Sequence, residues 1–235
     1  MRVLAIGCHP DDLEIACGGT LRKYVDQGAE VTMCHVANGN LGHVVLEPGP
    51  LREIRTREAE RSGAILGAKE VINLDVGDLE VNSHDQHVVD LIADAARRVR
   101  PDVVITHNPD DYMQDHMETS RLAVNGLFCS GLSHRPRAYE PFSSFVPVFF
   151  MDTLAGVEFL PTHYVDISGQ IDRKLEALNC HESQIKWMLE HDGIDFLDMV
   201  RTCSKYRGYQ CGAAFAEGFR PYMTYQRVSA KNLLP

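Results

Sequence analysis

The sequence predicts an α/β fold built on a mainly parallel sheet. Short β-branched runs alternate with longer helical stretches, breakers fall between them, and the first strand–helix–strand unit is complete by Val36. A unit of that length joins two parallel strands through a right-handed crossover.

In chain order, Arg2–Ile6 (RVLAI) reads as a buried strand. Gly18 and Gly19 precede a helix expected over Thr20–Gln27, which Gly28 stops. Glu30–Val36 (EVTMCHV) is the second strand, and the glycine- and proline-containing stretch Ala37–Pro50 reads as a loop beyond its carboxyl end. A charged helix is expected over Leu51–Leu66, closed by Gly67, and then a strand at Val71–Leu74. Gln86–Arg100 is an amphipathic helix with Val88, Val89, Leu91, Ile92 and Ala95 on its apolar side, and Pro101 stops it. Val103–Thr106 is the fourth strand, followed by a helix near His116–Leu127. Cys129–Pro147, rich in Ser, Pro and Arg, reads as a long surface loop. Phe149–Thr153 and Tyr164–Ile167 read as strands, and Ile171–Cys180, His181–His191 and Ile194–Tyr206 as helices. No repeat or linker interrupts the chain, so residues 1–235 read as one domain.

Hydrophobic residues make up 44% and charged residues 24%, an ordinary globular balance. The net charge of -10 argues against nucleic acid and anionic membrane as partners. No apolar run reaches the roughly 18–20 residues that span a bilayer, and the opening MRVLAIGCHPDD lacks the apolar core of a signal peptide. Seven cysteines, an odd number without a CxxC pair, predict reduced thiols in a cytoplasmic protein and exclude the usual cysteine zinc spacings.

Chemistry concentrates after the first and fourth strands. His9-Pro10-Asp11-Asp12 packs one imidazole and two carboxylates where open α/β sheets bind ligands, outside the carboxyl ends of the strands. A second cluster, His107 to His116, follows the fourth strand, and two parallel strands would bring both clusters to one sheet edge. A catalytic zinc takes three protein ligands from histidine nitrogen and carboxylate oxygen, and His9, Asp12 and His116 supply that set. Asp11 is then left beside the metal as the carboxylate that takes a proton from the attacking water. The plainer alternative is that His-Pro-Asp-Asp is a turn opening a helix with an aspartate cap.

These residues resemble the PIG-L/LmbE-like zinc-dependent N-acetylglucosaminyl deacetylases. HPDDLEIACGGTL resembles the opening of that family, VANGNLGH its loop after the second strand, IRTREAERSGAILGA the next helix and PDVVITHNPDDYMQDH the second metal segment. DISGQIDRKLEALNCHESQ and GYQCGAAFAEGF extend the likeness over nearly the whole chain. The resemblance implies a Rossmann-like three-layer fold and hydrolysis of the N-acetyl or other N-acyl amide of an amino sugar or its glycoside. It implies one Zn2+ or another divalent ion per chain, held by His9, Asp12 and His116, with Asp11 as general base. It also points to Arg55 as a substrate contact, and by analogy to a homo-oligomer.

One position departs from the family pattern, which commonly reads His-x-Asp-His where this chain has Met113-Gln114-Asp115-His116. A thioether carries no proton for an oxyanion or a leaving amine. Asp115, the catalytic carboxylate that would orient that histidine, then lacks its usual partner. Tyr112 and His107 are the candidate replacements. Asn38 and His43 in the glycine loop are expected at the substrate rim, although a solvent-facing His43 fits the sequence as well. His181 and Gln184 are expected to support the core, Glu217 either to touch substrate or to secure the C-terminal fold, and Trp187, Ile185, Met188 and Leu189 to be core. The competing functions are cleavage of a larger sugar-linked amide and a metal- or nucleotide-binding module without turnover.

Overall fold

A computed structural model describes residues 1–135, 138–142 and 145–225. The strands are β1 (Arg2–Gly7), β2 (Glu30–Ala37), β3 (Glu70–Val76), β4 (Val103–Thr106), β5 (Val148–Met151), β6 (His163–Asp166) and β7 (Ala216–Pro221). The helices are α1 (Asp12–Asp26), α2 (Pro48–Leu66), α3 (Gln86–Val99), α4 (Gln114–Ser130), α5 (Ile171–Leu178), α6 (Glu182–Asp192) and α7 (Phe196–Cys211). One sheet of seven strands runs in the order β3-β2-β1-β4-β5-β7-β6. β1 to β5 pair in parallel, while β7 lies antiparallel between β5 and β6. This is the mainly parallel α/β sheet expected from the alternation of strands and helices.

Both faces of the sheet are covered, which is why its central strands read as unbroken apolar runs. Successive strand side chains point to opposite faces. Leu4, Ile6, Cys34, Val36 and Val104 therefore pack with Ile92 of α3 and Leu122 and Leu127 of α4. Val3, Ala5, Val31, Met33, Val103 and Ile105 pack the other way, on Leu13, Cys17 and Leu21 of α1 and Leu66 of α2. A third cluster joins Ile171, Leu175 and Leu178 of α5 to Phe196 and Val200 of α7.

Two elements differ from the sequence expectation. α1 begins at Asp12, not Thr20, so Gly18 and Gly19 lie inside it. They serve contact with neighbours: a Cβ on Gly19 would stand 2.7 Å from Ile167 Cδ1. The Gly19 and Thr20 N–H groups donate to Glu217 at 2.9 and 2.7 Å, and Lys174 Nζ donates to the same carboxylate at 2.6 Å. Glu217 thereby ties α1, α5 and β7 together. The second difference is β7 itself, which no local pattern announced. Its stretch AEGFRP carries a glycine, a proline and two charges, poor strand formers alone. It becomes a strand because β5 and β6 offer ladders on both sides. The loop read over Cys129–Pro147 starts after α4 ends at Ser130, and residues 136–137 and 143–144 within it lie outside the described set.

Candidate active site

The chain runs outward from β1 to β3, then returns to place β4 on the other side of β1. That reversal opens a crevice at the carboxyl ends of β1 and β4. His9–Asp12 leaves β1 there, and His107–His116 leaves β4 there. The crevice is a cavity of ≈ 360 Å³ lined by both segments.

Asp11 and Asp12 turn the chain directly from β1 into α1. Asp11 adopts φ 127 and ψ -26, a conformation rare for a residue with a side chain. Such strain persists where surrounding contacts hold it, and it concentrates at functional sites. Arg55 of α2 is the holding contact. Its Nη2 donates to Asp11 Oδ2 at 2.9 Å and to the Pro10 carbonyl at 2.5 Å. Gly39 lets the guanidinium in, because a Cβ there would lie 2.6 Å from the Arg55 Cδ, Nε and Nη1 atoms. Asp78 fixes that glycine loop by accepting the Gly39 and Leu41 N–H groups at 2.8 and 3.0 Å.

Asp12 is the hub of the imidazole cluster. Its Oδ2 lies 3.4 Å from His9 Nδ1 and 3.2 Å from His107 Nε2, and its Oδ1 lies 3.4 Å from His116 Nε2. The His9 and His116 rings are 5.4 Å apart, so the structure brings the three sequence-expected ligands together. Donor atoms of Asp12, His107 and His116, and those of Cys8, His9 and Asp12, converge closely enough to hold an ion, and no such group among the described residues joins His9 to His116. His107 is buried and stacks on His116 at 4.1 Å, and its Nε2 accepts the Cys8 N–H at 2.9 Å. That hydrogen bond engages the Nε2 lone pair, and Asp12 and His116 belong both to the first group and to the set expected from the sequence, His9, Asp12 and His116. Their mixed nitrogen and oxygen donors suit a divalent transition ion. Among the described residues, six aspartates and a single arginine line the cavity, a balance that suits a cation.

The electrostatics separate the two neighbouring aspartates. Burial pushes the Asp11 carboxyl up to about 6 although Arg55 pulls it down. Burial opposes the Asp12 charge too, but His116 and His107 hold its carboxyl well below the usual range. His116 is raised to about 10: burial works against its charge, and Asp12 and Asp111 outweigh it. Burial, then the His116 charge, lowers His107 to about 4.

The other expected residues fall in different places. Tyr112 is 65% exposed, lines the cavity and meets His116 edge-on, with the ring centroids 6.2 Å apart. Met113 also lines the cavity. Asp115 is not left without neighbours: it accepts the Leu79 N–H at 2.8 Å and lies 3.4 Å from His9 Nε2. Asn38 and His43 are not among the cavity's lining residues. Asn38 is buried and donates to Asp75 Oδ1 at 3.0 Å, while His43 packs on Trp187 at 4.6 Å and accepts the Val45 N–H at 3.0 Å. Gln184 lines the cavity and donates to the Gly42 carbonyl, whereas His181 is buried beside Glu14 at 3.4 Å. Trp187, Ile185 and Met188 are only partly buried, and Leu189 is 55% exposed.

Sequence reasoning passed over two lining carboxylates, Asp78 and Asp152, and gave no role to a third, Asp111, within the second cluster. Asp111 lies 3.3 Å from His116 Nδ1. Each follows the carboxyl end of a strand, β3, β4 or β5, and that placement was the available signal.

Comparison with known proteins follows the same lines. The family model described as "GlcNAc-PI de-N-acetylase" (PIG-L) matches residues 4–127. A diacetylchitobiose deacetylase from Thermococcus kodakarensis is 31% identical over 233 residues, covering 93% of this chain and 82% of that protein. The solved N,N'-diacetylchitobiose deacetylase from Pyrococcus horikoshii superposes with a TM-score of 0.79 at 29% identity, over 94% of this chain and 83% of its own. A 4-oxalmesaconate hydratase from Pseudomonas putida is 26% identical over 194 residues, covering 77% of this chain and 73% of that protein.

Proposed function

The chain belongs to the GlcNAc-PI de-N-acetylase (PIG-L) family, and from that premise we propose that it hydrolyses the N-acetyl amide of an amino sugar or its glycoside. The observation that carries the reading is the division of labour between Asp11 and Asp12. One carboxylate is surrounded by imidazoles, and its neighbour is held apart from them by Arg55 at the same cavity.

His9, Asp12 and His116 are the residues that would hold the metal, with zinc the ion their donor types suit best. When bound, such an ion supplies Lewis acidity to a carbonyl oxygen and to water. Asp11 takes the proton of the attacking water; a carboxyl near 6 is poised for that transfer close to neutral pH. The water oxygen adds to the amide carbon, the carbon–nitrogen bond breaks, and protonated Asp11 returns its proton to the leaving nitrogen. Arg55 keeps the carboxylate oriented through both steps. Tyr112, at the cavity rim, is the hydroxyl donor for the developing oxyanion. His107 is the weaker candidate, because its position is taken up by the Cys8 amide and by stacking.

A second reading has one observation in its favour. Met113 puts a group without a proton at the cavity, and one relative is named as a hydratase. Water addition to a carbon–carbon double bond releases no amine. The test is the purified protein assayed with N-acyl amino sugars of increasing acyl length, reading free amine and carboxylate. Amine release that chelation abolishes and zinc restores supports hydrolysis, and a preference for long acyl groups would identify a larger amide. Release untouched by complete metal removal rejects the mechanism, and consumption of an unsaturated acid without amine release favours the hydratase. The odd cysteine count without a CxxC pair is the support for a reducing, cytoplasmic setting.

A further inference from the structure

Asp152 is a cavity carboxylate that the hydrolysis does not use. It stands just past the carboxyl end of β5, beside Ile15, Ala16 and Leu154 where the main cavity meets a smaller one of ≈ 40 Å³. Arg207 of α7 clamps it, Nε donating to Oδ2 at 2.6 Å and Nη2 to Oδ1 at 3.0 Å. The guanidinium is fixed in turn: Nη1 donates to Gln210 Oε1 at 2.9 Å and Nη2 to the Phe159 carbonyl at 3.1 Å. The two side chains are 13% and 5% exposed.

This pair braces the turn after β5, where Ala155 and Gly156 have positive φ. Two features go beyond bracing. The carboxylate itself lines the cavity, and a carboxylate has about four acceptor sites, of which the clamp fills two and the Thr153 N–H a third. Its neighbours Ile15, Ala16 and Leu154 offer no hydrogen bond to the site that remains. Among the described residues no hydrogen bond ties Asp152 to the imidazole cluster, so it is available to a part of the substrate away from the reacting amide. Fixed carboxylates with spare acceptor sites are matched by hydroxyl donors.

We propose that Asp152, held by Arg207, is a specificity-determining acceptor for one hydroxyl group of the sugar. The inference rests on the amino-sugar reading and names the group that selects within that class. A rigid acceptor orients the ring without reorganising, and a substrate lacking the matching hydroxyl leaves it desolvated and unpaired.

The test measures kcat and KM for N-acetylglucosamine, its methyl glycoside and their monodeoxy analogues, with binding of the same sugars followed by calorimetry. The variants are Asp152→Asn and, to avoid a lone buried guanidinium, Asp152→Ala combined with Arg207→Gln. In the wild type, loss of one particular hydroxyl should lower kcat/KM by about 10- to 100-fold, mostly through KM. In the variants that same penalty should shrink to within about 3-fold of none. A penalty as large in the variants as in the wild type, with only the Tm lowered, assigns Asp152 to bracing and overturns the proposal alone. A wild type that neither binds nor cleaves any of the sugars overturns the amino-sugar reading, and this inference with it.

Discussion

At the scale of single residues, two adjacent aspartates of identical chemistry are driven apart by what surrounds them. Asp12 is held ionised by two imidazoles, and Asp11 is pushed up by burial with one guanidinium to steady it. Pairs separated in this way mark acid–base roles. Asp11→Asn should therefore reduce kcat by about 10²–10⁴-fold while leaving metal content, read by elemental analysis, at the wild-type level. Metal loss with Asp11→Asn would move Asp11 into the ligand set. Tyr112→Phe should cost about 10²–10³ in kcat if its hydroxyl steadies the oxyanion. His107→Gln should show first as a lower Tm, since the ring accepts the Cys8 amide and stacks on His116 inside the buried cluster. Wild-type turnover by Tyr112→Phe would send the search for a donor elsewhere in the cavity.

At the scale of elements, α1 does the positioning, because it carries Asp12 in its first turn and is anchored at its middle. Gly19 lets it approach Ile167, and the buried Lys174–Glu217 pair receives two of its N–H groups. Gly19→Ala should destabilise the protein by about 1–3 kcal/mol through overpacking, seen as a lower urea midpoint. Lys174→Met should cost about 3–5 kcal/mol, because it strands a buried carboxylate. Unchanged midpoints for both would mean that α1 has room to shift and is not anchored there.

At the scale of the whole molecule, the site depends on strand order. β1 and β4 are neighbours although 100 residues separate their paired positions, Val3 facing Val103. Ligands drawn from two distant segments exist together only in the folded chain, so metal binding adds to stability. At a free metal concentration of 100 times Kd the gain is about 2.7 kcal/mol. Chelation should lower the Tm, zinc should restore it, and His116→Ala should abolish the shift. A Tm indifferent to metal in the wild type would argue against a folded-state site.

The sequence by itself determined the α/β class, five of the parallel strands and the two clusters that meet at the crevice. Hydrophobic period and breakers are local, and ligand types and the turns after strands are written in short motifs. It also named His9, Asp11, Asp12 and His116. Only the tertiary structure decided that Arg55 grips Asp11, that Asp115 reaches His9, that Asn38 turns to Asp75 and His43 to Trp187, and that Asp78, Asp111 and Asp152 join the cavity. It also decided that Ala216–Pro221 is a strand between two others. These depend on which distant backbone groups and side chains arrive at the same point. Local propensity carries no record of that, and the assembled sheet does.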